Sequence, residues 1–129
     1  MTTELHLLIW SSFLGFIQIM VAAQGSLRQR GMAYNMSSRD KLMPALTGVP
    51  GRLGRASENF KETFPLFLAA VAAVQLQSKN SSLSAWGAHL YFWGRLIYFP
   101  LYAFDITVFR TVVWFTASVG IILILCAAF

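Results

Sequence analysis

Apolar runs divide this chain into four stretches, and polar residues collect between them. Residues 5–27 and 111–129 contain no Lys, Arg, Asp or Glu. Residues 63–78 are also free of these charges and reach a full span once the polar turns before them are added. Residues 82–104 carry a single charge, Arg95. Crossing a hydrocarbon core takes roughly 20 mostly apolar residues. The pattern predicts an all-α integral membrane protein, an antiparallel four-helix bundle that forms one domain over 1–129. Its spans are expected at about 5–27, 56–78, 82–104 and 107–129. The connections near Ser78–Ser84 and Asp105–Arg110 are short, which favours antiparallel neighbours. The loop after the first span holds Gly31, Pro44, Gly48, Pro50, Gly51 and Gly54 and is not expected to be one helix.

Composition agrees with the pattern. The 129 residues are 57% hydrophobic and 12% charged, about half the charge of an average soluble domain. The net charge of +5 is uneven: Arg28, Arg30, Arg39, Lys41, Arg52 and Arg55 lie between the first two spans against one acid, Asp40. Cytoplasmic loops are enriched in Lys and Arg. Loop 28–55 is therefore expected to be cytoplasmic, with both termini on the opposite side. The expected membrane is a bacterial inner membrane rather than the endoplasmic reticulum. The loop lacks the interleaved aromatics of a nucleic-acid platform, so no nucleic-acid partner is expected. Basic residues follow the first apolar run instead of preceding it, the flank of an anchor rather than of a cleaved signal. Cys126 stands alone, which excludes an internal disulfide and reads as a small core residue. His6 and His89 have no partner at ligand spacing, so no metal site is expected.

Function is sought where polar residues interrupt the two weaker spans. At about 100° per residue, Arg55, Asn59 and Glu62 fall within roughly 60° of one another, and Arg52 extends the stripe by a turn. A carboxylate at the depth of Glu62 needs a partner, for which Arg55, Lys61 and Arg95 are candidates, or a wet cavity. Tyr91, Arg95, Tyr98 and Tyr102 form a matching stripe on the third span. They line a polar pocket, or else Arg95 serves Glu62 as a structural ion pair. Pro100 is expected to kink this helix. Arg110 opens the fourth span, where it either joins the site or snorkels to headgroups. Arg28 and Arg30 share that ambiguity. Guanidinium groups grip carboxylates in a bidentate fork. The partner implied is a small anion with several carboxylates or an anionic membrane lipid.

The run Arg52-x-x-Arg55-Ala-x-x-x-Asn59-x-x-Glu62-x-x-Pro65-x-Phe67 resembles the signature of the MAPEG family, membrane-associated proteins in eicosanoid and glutathione metabolism. Arg28-x-Arg30-x-x-Ala33-Tyr34 is similar to the end of that family's first helix. Arg95-x-x-Tyr98-x-x-x-Tyr102, with Arg110 eight residues on, is similar to its third helix and catalytic arginine. The resemblance implies a homotrimer that binds glutathione, as co-substrate, between protomers near the cytoplasmic side. It assigns Arg52, Arg55, Asn59, Glu62, Tyr98 and Tyr102 to the tripeptide, with Arg28 or Arg30 from the adjacent subunit. Arg110 would lie beside the thiol and favour the thiolate. The implied activity is a glutathione-dependent transferase or peroxidase acting on a lipophilic small molecule. The alternative is a non-catalytic lipid-binding or scaffold member. A proton-coupled exporter fits less well, since the first apolar run has no acidic residue and Glu62 lies toward one end of its span.

Overall fold

A computed structural model describes all residues, Met1–Phe129. It is entirely helical: α1 (Thr3–Arg30), a single turn α2 (Met32–Asn35), α3 (Gly48–Leu76), α4 (Ser82–Ala103) and α5 (Thr107–Ala128). Each start has a local cause. Thr2 accepts from the Leu5 amide and opens α1, and Ser81 with Ser84 forms a reciprocal capping box on α4. Both satisfy amides that a helix N-terminus leaves unpaired. Gly31, at φ 88°, ends α1 in a conformation that side chains with a Cβ avoid.

One boundary differs clearly from expectation. The helix carrying the polar stripe begins at Gly48, eight residues before the expected span, so Arg52 and Arg55 are helical. Its 29 residues measure about 44 Å, longer than a ~30 Å hydrocarbon core. The surplus is its polar first turns. α4 runs through Pro100 to Ala103.

Contacts fix the relative directions of the long helices. Thr2 Oγ1 donates to Gln75 Oε1 at 2.9 Å, while Gly25 lies against Pro50 at the other end, so α1 and α3 are antiparallel. Arg95 meets Asn59 and Tyr91 meets Thr63, which makes α3 and α4 antiparallel. Phe67 stacks on Tyr91 with ring centroids 4.0 Å apart, and Ala70, Val71, Val74, Ala88, Ile121 and Ile124 continue this core.

The closest seam joins α4 to α5 through small residues. A Cβ built on Gly120 would stand 2.5 Å from the Gly87 carbonyl oxygen and 2.8 Å from the Tyr91 amide nitrogen. Both obstacles are backbone and cannot rotate away. Small residues let membrane helices approach this closely, and dispersion rewards the approach. Gly120→Val is expected to destabilise the fold by about 3 kcal/mol or more, because overpacking here must move a helix. Thermal unfolding in detergent checks this; an unchanged midpoint would contradict the seam.

The exterior is oily. Only 27 of 129 residues are buried, whereas Trp10, Phe13, Phe16, Ile17, Phe115 and Ile122 are all more than half exposed. α1 and α5 are long and apolar enough to cross a membrane, and only 28% and 22% of their most apolar windows are buried inside the protein. A soluble core helix would be buried; these present their apolar faces outward, as lipid requires. Cys126, expected in the core, sits on the exposed side of α5.

Candidate functional site

Arg95 organises the polar centre. It is 1% exposed, and its Nη1 donates to Asn59 Oδ1 at 2.8 Å. Its guanidinium carbon lies 4.3 Å from the Tyr98 ring centroid and 5.5 Å from that of Phe60. Aromatic faces attract a cation through their quadrupoles, more strongly when water is excluded. The Nε and Nη2 atoms of Arg95 are buried without a partner. Such unsatisfied donors are uncommon in folded proteins and need an explanation.

The expected Arg95–Glu62 ion pair is not formed. The one salt bridge joins Lys61 to Glu58 at 2.7 Å on the outside of α3. Asn59 and Glu62 are three residues apart, hence about 60° apart around the helix. That rotation turns Asn59 toward α4 and leaves Glu62 exposed. Tyr91 is also not a pocket wall. It is buried in the core, hydrogen-bonded to Thr63 and stacked on Phe67, about one turn deeper than Arg95.

Beside Arg95, a cleft of about 160 Å³ is lined by Asn59, Tyr98, Arg110, Thr111 and Trp114. Tyr102 adjoins it: its ring lies 5.6 Å from that of Tyr98, and the Arg110 guanidinium carbon lies 4.4 Å above its centroid. Arg110 occupies the first turn of α5, where unpaired amides add partial positive charge. Trp114 contributes another buried N–H without a partner. Three helices thus bring two guanidinium groups, an indole N–H and two tyrosines together, with no acid among the lining residues. The cleft is chemically a site for a ligand rich in acceptors. Thr111 and Trp114 were not among the expected site residues, although Trp114, four residues beyond Arg110, shares its side of the helix.

The remaining arginines divide. Arg52 Nε donates to the Ala103 carbonyl at 2.9 Å and so caps the end of α4. Arg30 Nη2 donates to the Pro44 carbonyl at 2.9 Å and its guanidinium lies over Tyr34, which ties down the loop. Arg28 and Arg55 are exposed without a hydrogen-bond partner. Glu62 is equally exposed and unpaired. If the hydrocarbon core ends at the C-terminus of α3, Glu62 lies about 9 Å inside it. A bare carboxylate facing lipid at that depth is strongly disfavoured.

The sequence pattern of the MAPEG family matches residues 7–129, nearly the whole chain. The chain belongs to the MAPEG family. It is therefore a membrane protein, in agreement with the two outward-facing apolar helices. This family includes glutathione transferases and peroxidases as well as members that act in eicosanoid synthesis. No curated protein matches the chain significantly. Among MAPEG residues read from the motif, Asn59, Tyr98, Tyr102 and Arg110 meet within the single chain. Arg28, Arg55 and Glu62 are exposed.

Proposed function

We propose that this MAPEG protein is a glutathione-dependent transferase or peroxidase for lipophilic electrophiles or peroxides. The observation that carries the reading is the acceptor-seeking cleft, with Arg110 at a helix N-terminus and unpartnered donors on Arg95 and Trp114 beside it. A tripeptide with two carboxylates, an amine and a thiol supplies what these groups lack. Arg55 and Arg28 take carboxylates, Glu62 takes the amine, and Asn59, Tyr98 and Tyr102 hold the peptide.

The cleft alone is smaller than the ~300 Å³ at which small-molecule sites begin. Glu62 and Arg55 also lack partners on their own chain. Both observations support a site completed by a second copy, and hence a homotrimer of antiparallel four-helix bundles. Its basic loop is read as cytoplasmic and both termini as opposite, in a bacterial inner membrane.

The thiolate, not the thiol, is the nucleophile, and a free thiol ionises near pH 8.5. The guanidinium of Arg110 and the α5 N-terminus both favour the anion. On binding, the thiol proton passes to water. The sulfur lone pair then attacks the electrophilic atom of a substrate dissolved in the bilayer, forming the thioether and expelling the leaving group with its bonding pair. With a hydroperoxide it attacks the terminal oxygen and breaks the O–O bond, leaving the sulfenic acid of glutathione and an alkoxide that takes a proton from water. A second glutathione then displaces water from the sulfenic acid to give the disulfide.

Purified protein in lipid vesicles is expected to conjugate glutathione to an apolar aryl halide above the uncatalysed rate. Glutathione binding without turnover of any electrophile or peroxide would favour the non-catalytic lipid-binding reading instead.

A further inference from the structure

Sharing no lining residue with the arginine cleft, two adjoining grooves of about 440 and 430 Å³ between α1 and α4 open outward. The shallower is walled by Thr3, Trp86, His89 and Trp93; the deeper adds His6 and Trp10 and ends at Leu96. Both helices contribute one side chain per turn to one strip, at spacings of three and four residues. Trp10 and Trp93 lie 7 and 11 residues inside their helices, about 10 and 16 Å from the helix ends. That is deeper than the headgroup belt that accounts for most membrane tryptophans.

The polarity of the groove is defined by one hydrogen bond. Trp93 Nε1 donates to His89 Nδ1 at 3.2 Å. A nitrogen that accepts carries no proton, so neutral His89 holds its proton on Nε2. That nitrogen has no partner and is not enclosed. The groove therefore offers a hydrogen-bond donor between indole faces. Its lining contains no Lys, Arg, Asp or Glu, and its titratable side chains are His6 and His89, so while both imidazoles are neutral nothing in it balances a carboxylate, a phosphate or an ammonium group.

We propose that this groove is a binding site for a neutral, flat, carbonyl-bearing lipophile, a quinone-type ring with an apolar tail. The ring stacks against Trp86 and Trp93, a carbonyl oxygen accepts from His89 Nε2–H, and the tail follows Phe92 and Leu96 into the bilayer. The site is independent of the arginine cleft, so its occupancy and glutathione binding are separate measurements.

The test uses the intact protein in nanodiscs and a benzoquinone with a short isoprenoid tail, which quenches indole fluorescence on contact. Saturable quenching is expected. His89→Phe keeps the ring and removes the donor, and it should weaken apparent affinity about tenfold, the loss of one hydrogen bond. An azido-quinone on the wild-type protein, which needs no variant to fold, should label the segment 82–96. Quenching that rises linearly without saturation, equal affinity in His89→Phe, or labelling confined to other segments would overturn the proposal. So would equally effective displacement by oleate, because an anionic headgroup finds no charge partner here.

Discussion

Replacing Arg110 by alanine is expected to lower glutathione conjugation about 30-fold at pH 7 and saturating glutathione, and much less at pH 9. Arg110 is the one guanidinium that both lines the cleft and stands on a helix N-terminus. Without it the bound thiol returns toward its free ionisation near pH 8.5, leaving about 3% thiolate at pH 7. Raising the pH restores the anion by mass action, so the two rate profiles converge in alkali. Arg110→Lys keeps the positive charge but loses the planar contact with Tyr102, and should fall between the two. A loss equal at every pH would mean that Arg110 positions a substrate instead of stabilising the thiolate.

The second large effect concerns stability. Asn59→Ala removes the only hydrogen-bond acceptor that Arg95 has within the chain. An uncompensated buried charge destabilises by about 3–5 kcal/mol. Arg95→Met removes that charge and keeps most of the volume. It should cost less, about 1–3 kcal/mol, set by the unpaired Asn59 amide. The double variant is then more stable than Asn59→Ala alone, an inversion that simple loss of packing cannot produce. Thermal unfolding of the four proteins in one detergent reads it directly. If the two losses merely add, Arg95 is not held as a buried cation by Asn59.

The apolar runs made four helices legible because lipid-facing and core-facing positions are both hydrophobic, so length alone marks them. The tyrosine stripe was legible for the same reason that it works: Tyr98 and Tyr102 are one turn apart and lie ring to ring. Helix rotation was not legible. Periodicity gathers Asn59 and Glu62 on one arc, but which of them meets α4 depends on packing, and 60° sufficed to replace the Arg95–Glu62 pair with Arg95–Asn59. The loop arginines failed for another reason. Arg30 and Arg52 satisfy the carbonyls of Pro44 and Ala103, whose positions follow from loop and helix ends that carry no periodic signal.

A third group went unread although its signal was present. Glu4, Ser11 and Gln18 are all buried at seven-residue intervals along α1. A heptad repeat of polar residues in an apolar helix marks an inward polar stripe. Glu4 hydrogen-bonds Ser84 on α4, while the Ser11 hydroxyl and the Gln18 amide have no partner. The apolar run around them masked the stripe, because none of the spanning residues is charged.

The proposed activity depends on the cleft binding glutathione as a thiolate. Calorimetric titration of the detergent-solubilised protein with glutathione at pH 7, in two buffers of different ionisation enthalpy, tests it most directly. Saturable binding is expected, with close to one proton released per thiol bound and with that release lost in Arg110→Ala. No binding at millimolar glutathione, or binding with no proton released, would contradict it.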